Sequence, residues 1–275
     1  MRNRIDSTFV RLRQAGRSGF MAYITGGDPD LDTTAAVARE LAEAGTDFLE
    51  VGIPFSDPLA DGLANQLGAQ RALAAGVTVR KLLGCVAKIR AAIPTPIILY
   101  TYLNPVFQYG FARFENDAAD AGADGLLLLD LPPDETSLED SGVRRLHRIR
   151  LVAPTTDDRR VRTICARASG FIYYVSREGV TGERSELESS IQDRLNVIRN
   201  CTELPVAVGF GISNPAQAAA VAKIADAVVV GSAIVRRIGE GAGRADLARE
   251  IGRFVRPLAE AVHSARAGSR VVDRA

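Results

Sequence analysis

The chain has no tryptophan, two histidines, three cysteines and, among 34 basic residues, only three lysines. Each shortage removes a class of chemistry. Cys85, Cys165 and Cys201 are odd in number, far apart and each inside an expected helix, which excludes a disulfide framework and a cysteine zinc site. His147 and His263 also fall in helical patterns, so the His or acidic ligands that a metal-dependent aldolase or epimerase holds at its strand ends are missing, and no metal site is expected. A Schiff-base enzyme needs a lysine at the end of a strand, whereas Lys81, Lys88 and Lys223 all lie in helical patterns. No apolar run approaches the about 18 residues of a membrane span, and the polar start MRNRIDS is no signal peptide. A formal net charge of +1 argues against a nucleic-acid or membrane surface, and the expected location is the cytoplasm.

What is present is a 275-residue chain with 47% hydrophobic residues, enough for one domain over 1–275 with a large core. Short apolar runs alternate with helical patterns: FMAYIT (20–25), FLEVGI (48–53), IILYTY (97–102), GLLLLDL (125–131), RLVAP (150–154), FIYYVS (171–176), PVAVGF (205–210) and DAVVVGS (226–232). Continuously apolar strands are those covered on both faces, and eight of them alternating with helices predict a single (β/α)8 TIM barrel of the α/β class. An additional N-terminal helix and an extended C-terminal helical tail flank it, with 266–275 expected to fray. The helical segments 31–44 and 79–92 each carry one apolar stripe, and Ala-Gly-Thr-Asp (44–47) and Ala-Gly-Ala-Asp (121–124) put Gly where a helix stops before the next strand. A doubly wound sheet fits less well, because no G-x-G-x-x-G follows the first strand.

The segment LEVGIPFSDPLADG (49–62) carries the acids. Phe48, Glu50 and Gly52 share one face of an extended strand, with Leu49, Val51 and Ile53 on the other. Glu50 is therefore expected to be buried, while Asp61, in a Pro/Gly-rich loop, sits in a wetter place. Two carboxylates in unlike environments make an acid–base pair. The alternative is structural: Glu50 tied to an Arg, and Asp61 capping the next helix. Of the other polar groups at strand ends, Asp130 reads as a turn residue and Tyr100, Tyr102 and Tyr173 as pocket walls. Barrel enzymes commonly hold phosphate at the loops after strands 7 and 8, here GFGIS (209–213) and VGSAI (230–234), with Gly179 to Gly182 closing the cup. General acid–base catalysis on a small phosphorylated substrate follows.

Taken in order along the chain, the stretches 4–30, 49–62, TYLNPVFQYG (101–110), LLLDLPPDE (127–135), VAPTT (152–156), GFIYYVSREGVTG (170–182), LPVAVGFGIS (204–213) and VVVGSAIV (228–235) resemble the tryptophan synthase α-subunit family. The resemblance implies a lyase that cleaves indole-3-glycerol phosphate to indole and glyceraldehyde 3-phosphate by a retro-aldol route. It implies Glu50 as the acid that protonates the indole carbon, Asp61 as the anion facing the ring N–H, and Tyr173 beside the acid. Tyr23, Tyr100, Leu127 and Val229 would line the indole pocket, Thr181 would belong to a lid, and Gly182, Gly211, Gly231 and Ser232 would contact phosphate. No cofactor is implied in this chain. Pyridoxal phosphate is expected only in a β-subunit partner, in an α2β2 complex that Asp57, Pro58, Asn104 and Pro132 would face.

The sequence departs from the family pattern after Gly62. Where the family usually has Pro, a small or β-branched residue, Ile and Gln, this chain has Leu63-Ala64-Asn65-Gln66. Loss of the proline widens the conformational range of a loop that carries Asp61. Three readings stay open at this point: the biosynthetic α subunit, a stand-alone lyase releasing free indole, and a non-catalytic barrel that activates β.

Overall fold

The computed structural model describes residues 3–135, 145–176, 184–209 and 211–265, with the side chains of 184–209 described from 191. Thr181, Gly182, Phe210 of the GFGIS loop and the 266–275 tail lie outside them. Eight parallel strands close into a barrel in chain order: β1 (Gly19–Thr25), β2 (Phe48–Gly52), β3 (Ile97–Thr101), β4 (Gly125–Leu128), β5 (His147–Val152), β6 (Ile172–Val175), β7 (Val206–Gly209) and β8 (Ala227–Val230). Helices α1 (Arg4–Gln14), α2 (Leu31–Glu43), α3 (Leu63–Ala74), α4 (Val79–Ala92), α5 (Leu103–Tyr109), α6 (Phe111–Asp120), α7 (Asp158–Ala166), α8 (Arg184–Arg199), α9 (Pro215–Ala222), α10 (Ser232–Glu240) and α11 (Leu247–Ser264) surround it.

Local chemistry explains the punctuation. Asp30, Thr78, Asp157 and Asn214 each accept a hydrogen bond from a first-turn N–H of α2, α4, α7 and α9, which satisfies donors the helix itself cannot. Gly45 and Gly122 follow α2 and α6 with φ of +103° and +94°, a region that disfavours any side chain. The aspartates after those turns do a second job. Asp47 accepts the N–H of Phe20, and Asp124 that of Ile97, so each buried acid at the foot of one strand ties down the start of the strand before it.

Alternate residues separate two apolar layers. Leu49, Val51, Ile97 and Leu99 face the helices, while Met21, Phe48, Ile98, Leu127, Ile149, Phe171, Ala207 and Val229 fill the barrel. The N-terminal end is plugged by α1, whose Phe9 ring lies 4.5 Å from Phe48 and 5.8 Å from Phe171. The additional helix expected ahead of β1 thus closes the bottom, which leaves the top for the site.

Three sequence readings are corrected here. His147 is not helical; it opens β5, with Nε2 3.1 Å from the Asp6 carboxylate of α1. The strand spans 147–152 rather than 150–154 because its helix-facing residues are Arg148 and Arg150, both buried, which broke the apolar pattern. Arg148 is accommodated by a buried ion pair with Glu115 of α6 at 2.8 Å. Cys201 sits in the turn after α8 rather than inside a helix.

Candidate active site

A cavity of about 480 Å³ opens at the C-terminal ends of the strands, lined among others by Tyr23, Asp61, Tyr100, Tyr173, Gly211, Val229, Gly231 and Ser232. Its walls come from β1, β3, β6 and β8 and from the loops after β2, β7 and β8. Elements far apart in sequence therefore converge because the barrel is closed.

One end holds the acids. In β2, Glu50 pairs in register with Tyr23 and Ile98, which puts it inside the barrel as the strand alternation predicts. It is fully buried, and neither carboxyl oxygen has a hydrogen-bond partner among the described residues. Burial alone pushes its pKa up to about 8. Among the described residues no arginine holds it, which speaks against the structural reading of Glu50.

Asp61 is treated differently. The β2–α3 loop folds back over β3, and Tyr100 and Tyr102 donate to Asp61 Oδ1 and Oδ2 at 3.0 and 2.9 Å. Asn65 Nδ2 donates to Oδ1 at 3.3 Å, and Tyr102 Oη accepts the Ala60 N–H at 3.0 Å, which pins the loop. Burial raises the Asp61 pKa from its ordinary value, against the lowering pull of Tyr102, Asn65 and Tyr100. Asp61 is thus less wet than its loop sequence suggested, and donors rather than water hold it. It does not cap α3: Gly62 is the N-cap residue, without a side-chain hydrogen bond.

The four tyrosines complete that end. Tyr23 and Tyr100 meet edge to face at 5.0 Å. Burial, with the Asp61 and Glu50 charges, holds Tyr23, Tyr100 and Tyr173 well above the ordinary tyrosine pKa, so all three stay neutral. Glycines make room for the rings, since a Cβ at Gly52 would fall 2.3 Å from Tyr23 Oη and one at Gly209 2.8 Å from Tyr173 Oη.

The other end is glycine-rich. Gly211 adopts φ +40°, and Gly231 precedes α10 without any side-chain cap, whereas the neighbouring α9 is capped by Asn214. The Ile234 and Val235 N–H groups donate to the Gly231 carbonyl, so among the described residues those of Ser232 and Ala233 remain open to an anion, which the helix dipole favours.

The remaining sequence-derived residues divide. Leu127 lies in the barrel interior and Glu50 beneath the tyrosines, neither on the cavity surface. Asp57, Asn104 and Pro132 are exposed on the same face and Pro58 is half-buried. Asp130 is a turn residue as read, accepting the Leu103 N–H at 2.6 Å. Sequence reasoning missed two partners of Asp61. Tyr102 was taken as wall, although it lies two residues from Tyr100 and so on the same strand face. Asn65 was noticed only as a departure, although a polar residue four positions after an acid at a helix start is a signal in itself.

A closed parallel barrel with one unpaired buried acid, one tethered carboxylate and an open helix N-terminus at its C-terminal mouth has the makings of a (β/α)8 enzyme of the general acid–base kind. Comparison with known proteins makes the class specific. The family model for the tryptophan synthase alpha chain matches residues 9–263, and the chain belongs to that family. The tryptophan synthase alpha chain of Geobacter sulfurreducens is 48% identical over 262 residues, 94% of this chain and 99% of that one. Among solved structures, tryptophan synthase subunit alpha from Legionella pneumophila aligns with a TM-score of 0.86 at 37% identity, covering 95% of this chain and 99% of that one. A chain of tryptophan synthase from M. tuberculosis, in an open form with BRD0059 bound, aligns at 0.85 and 33%, covering 97% and 100%. The family's reaction is the cleavage of indole-3-glycerol phosphate, a lyase step of tryptophan biosynthesis.

Proposed function

We propose that this chain cleaves indole-3-glycerol phosphate to indole and glyceraldehyde 3-phosphate with Glu50 as general acid and Asp61 as the anion that faces the indole N–H. One observation carries the assignment: Glu50 is buried, unpartnered among the described residues and protonated up to about pH 8, while Asp61 receives three hydrogen bonds. A neutral carboxylic acid is what protonating a ring carbon near neutral pH requires.

The proton balance closes on one residue. Glu50 gives its proton to the ring carbon that bears the side chain, and positive charge develops on the ring nitrogen, where Asp61 stabilises it. The bond from that carbon to the glycerol chain then breaks and its electron pair returns to the ring. The adjacent hydroxyl becomes the aldehyde, and its proton goes to the Glu50 carboxylate. Glu50 must turn toward the cavity to do this, past Tyr23, Tyr100 and Tyr173, and Tyr173 would steady it. Tyr23, Tyr100, Leu127 and Val229 would hold the indole ring. Phosphate would rest on Gly211, Gly231 and the start of α10 at Ser232, with Gly182 as a further contact and Thr181 in a lid that excludes water.

The chain also works, on this reading, as the α partner of a pyridoxal-phosphate β subunit in a cytoplasmic α2β2 complex and needs no cofactor of its own. In support, Leu59, Leu63 and Phe107 are 91%, 71% and 58% exposed on the face that carries Asp57, Pro58, Asn104 and Pro132, an apolar surface of the kind a partner covers. Among the described residues, no helix is long and apolar enough to cross a membrane.

The test is indole release by the purified chain with and without a β subunit, alongside Glu50→Gln and Asp61→Asn. Slow release that rises sharply with β and is lost in both variants is the expected result. Fast release without β would make the chain a stand-alone lyase, and no release under either condition would leave a binding barrel that activates β.

A further inference from the structure

The first turn of α3 carries a polar side chain that the fold does not need. Asn65 lines the cavity beside Asp61 and reaches back four residues to its carboxylate. Because a carboxylate only accepts, the amide nitrogen must be the end that faces it. That orientation leaves Asn65 Oδ1 buried with no donor among the described residues. Burying an unpaired amide oxygen costs stability, and an apolar side chain of similar size would avoid the cost. A residue kept for packing alone would not be an asparagine here.

We infer that Asn65 is a positioning residue for the reaction proposed above, fixing the orientation of the Asp61 carboxylate at the cavity wall. The inference rests on that functional reading. Asp61 is faced by Tyr100 of β3 and Tyr102 just after it, by Tyr23 from β1 and by Tyr173 from β6, with Glu50 of β2 behind those rings. Among the described residues, Asp61 forms no ion pair, so its charge is supported by three neutral donors. Asn65 is the one that belongs to the helix and not to β3. It therefore ties the loop that carries Asp61 to a helix, as Gln66 Nε2 does for the Asp61 carbonyl at 2.9 Å. Removing a donor to a carboxylate disfavours its anion, so Asp61 should then take up a proton at higher pH.

The experiment is a ¹³C NMR titration of the Asp61 side-chain carboxyl in the wild-type chain and in Asn65→Leu, together with pH profiles of indole release in the presence of β and denaturant unfolding of both proteins. The expected result is an Asp61 titration displaced upward by about half a unit to one unit in the variant, with the acid limb of kcat/KM displaced alike. The unfolding midpoint stays the same or rises, because an unpaired buried oxygen has gone. Asn65→Ser, whose shorter side chain loses its reach to Asp61, provides the same comparison should Leu perturb the turn. An Asp61 titration identical in wild type and both variants, or a loss of stability with no titration shift, would overturn the inference and make Asn65 a structural residue. Absence of indole release by the wild type would remove the lyase reading instead, and the NMR titration would still decide whether Asn65 supports Asp61.

Discussion

Glu50 and Asp61 differ by one methylene, and burial raises the pKa of both, but only at Asp61 do hydrogen-bond donors pull against it. Glu50 lies under three tyrosine rings with no partner among the described residues, and Asp61 sits where a loop meets three donors. The first consequence is thermodynamic. A carboxyl whose folded pKa is raised costs the fold nothing below its unfolded value. Here the cost grows as pH climbs from 4.5 to about 8 and is constant above. Glu50→Gln should therefore unfold at the same urea concentration as the wild type at pH 4 and at a higher one at pH 8, by on the order of a few kcal/mol. The second consequence is kinetic. On the proposed mechanism Glu50 acts protonated and Asp61 ionised, so kcat/KM for indole release should be bell-shaped, with its alkaline limb near pH 8. A flat profile through pH 9 would separate Glu50 from the proton transfer.

Among the elements, the two ends of the barrel have separable duties. The α1 helix contributes to folding alone, since Phe9 touches Phe48 and Phe171 at the end opposite the cavity. Phe9→Ala should cost about 3–5 kcal/mol in urea unfolding while kcat of the folded fraction stays at the wild-type value. The start of α10 has the reverse profile. Ser232→Asp places a carboxylate at a helix N-terminus, which suits the helix dipole but repels a phosphate. Unchanged or slightly raised stability with KM for indole-3-glycerol phosphate up by about tenfold or more is expected, and an unchanged KM would move the phosphate elsewhere. Elements were also where the sequence was most and least legible. The other seven strands read as apolar runs because both faces are covered. By contrast, β5 begins three residues earlier than its apolar run because Arg148 and Arg150 lie buried on its helix-facing side, where the Glu115 partner from α6 helps to accommodate Arg148.

At the scale of the whole molecule, the most exposed large apolar side chains among the described residues, Leu59, Leu63 and Phe107, gather at the C-terminal mouth of the barrel. Phe107 belongs to α5 and lines no part of the cavity, so it offers a clean test of the partner surface. Phe107→Ser should leave the basal rate of indole release untouched and weaken activation by β about tenfold in titrations of the subunit. An undiminished response would place the contact on another face. At the opposite end, His263 of α11 lies 2.6 Å from Asp47, which also binds Arg11 of α1. The N- and C-terminal helices are thus joined through one acid at the foot of β2.

The order of strands, the inward face of Glu50, the glycine-rich turns after β7 and β8 and the family motifs were determined by the sequence itself. Period-two alternation and turn residues are local, and a local pattern survives without coordinates. Which groups meet Asp61 was decided only by the tertiary structure. Tyr102 reaches it because the β2–α3 loop turns back across a neighbouring strand some forty residues later. Asn65 reaches it because the loop ends at that distance from a helix start. The same holds for Glu50: the sequence shows a carboxyl on an apolar face, but its isolation, and hence its raised pKa, is a property of every side chain around it at once.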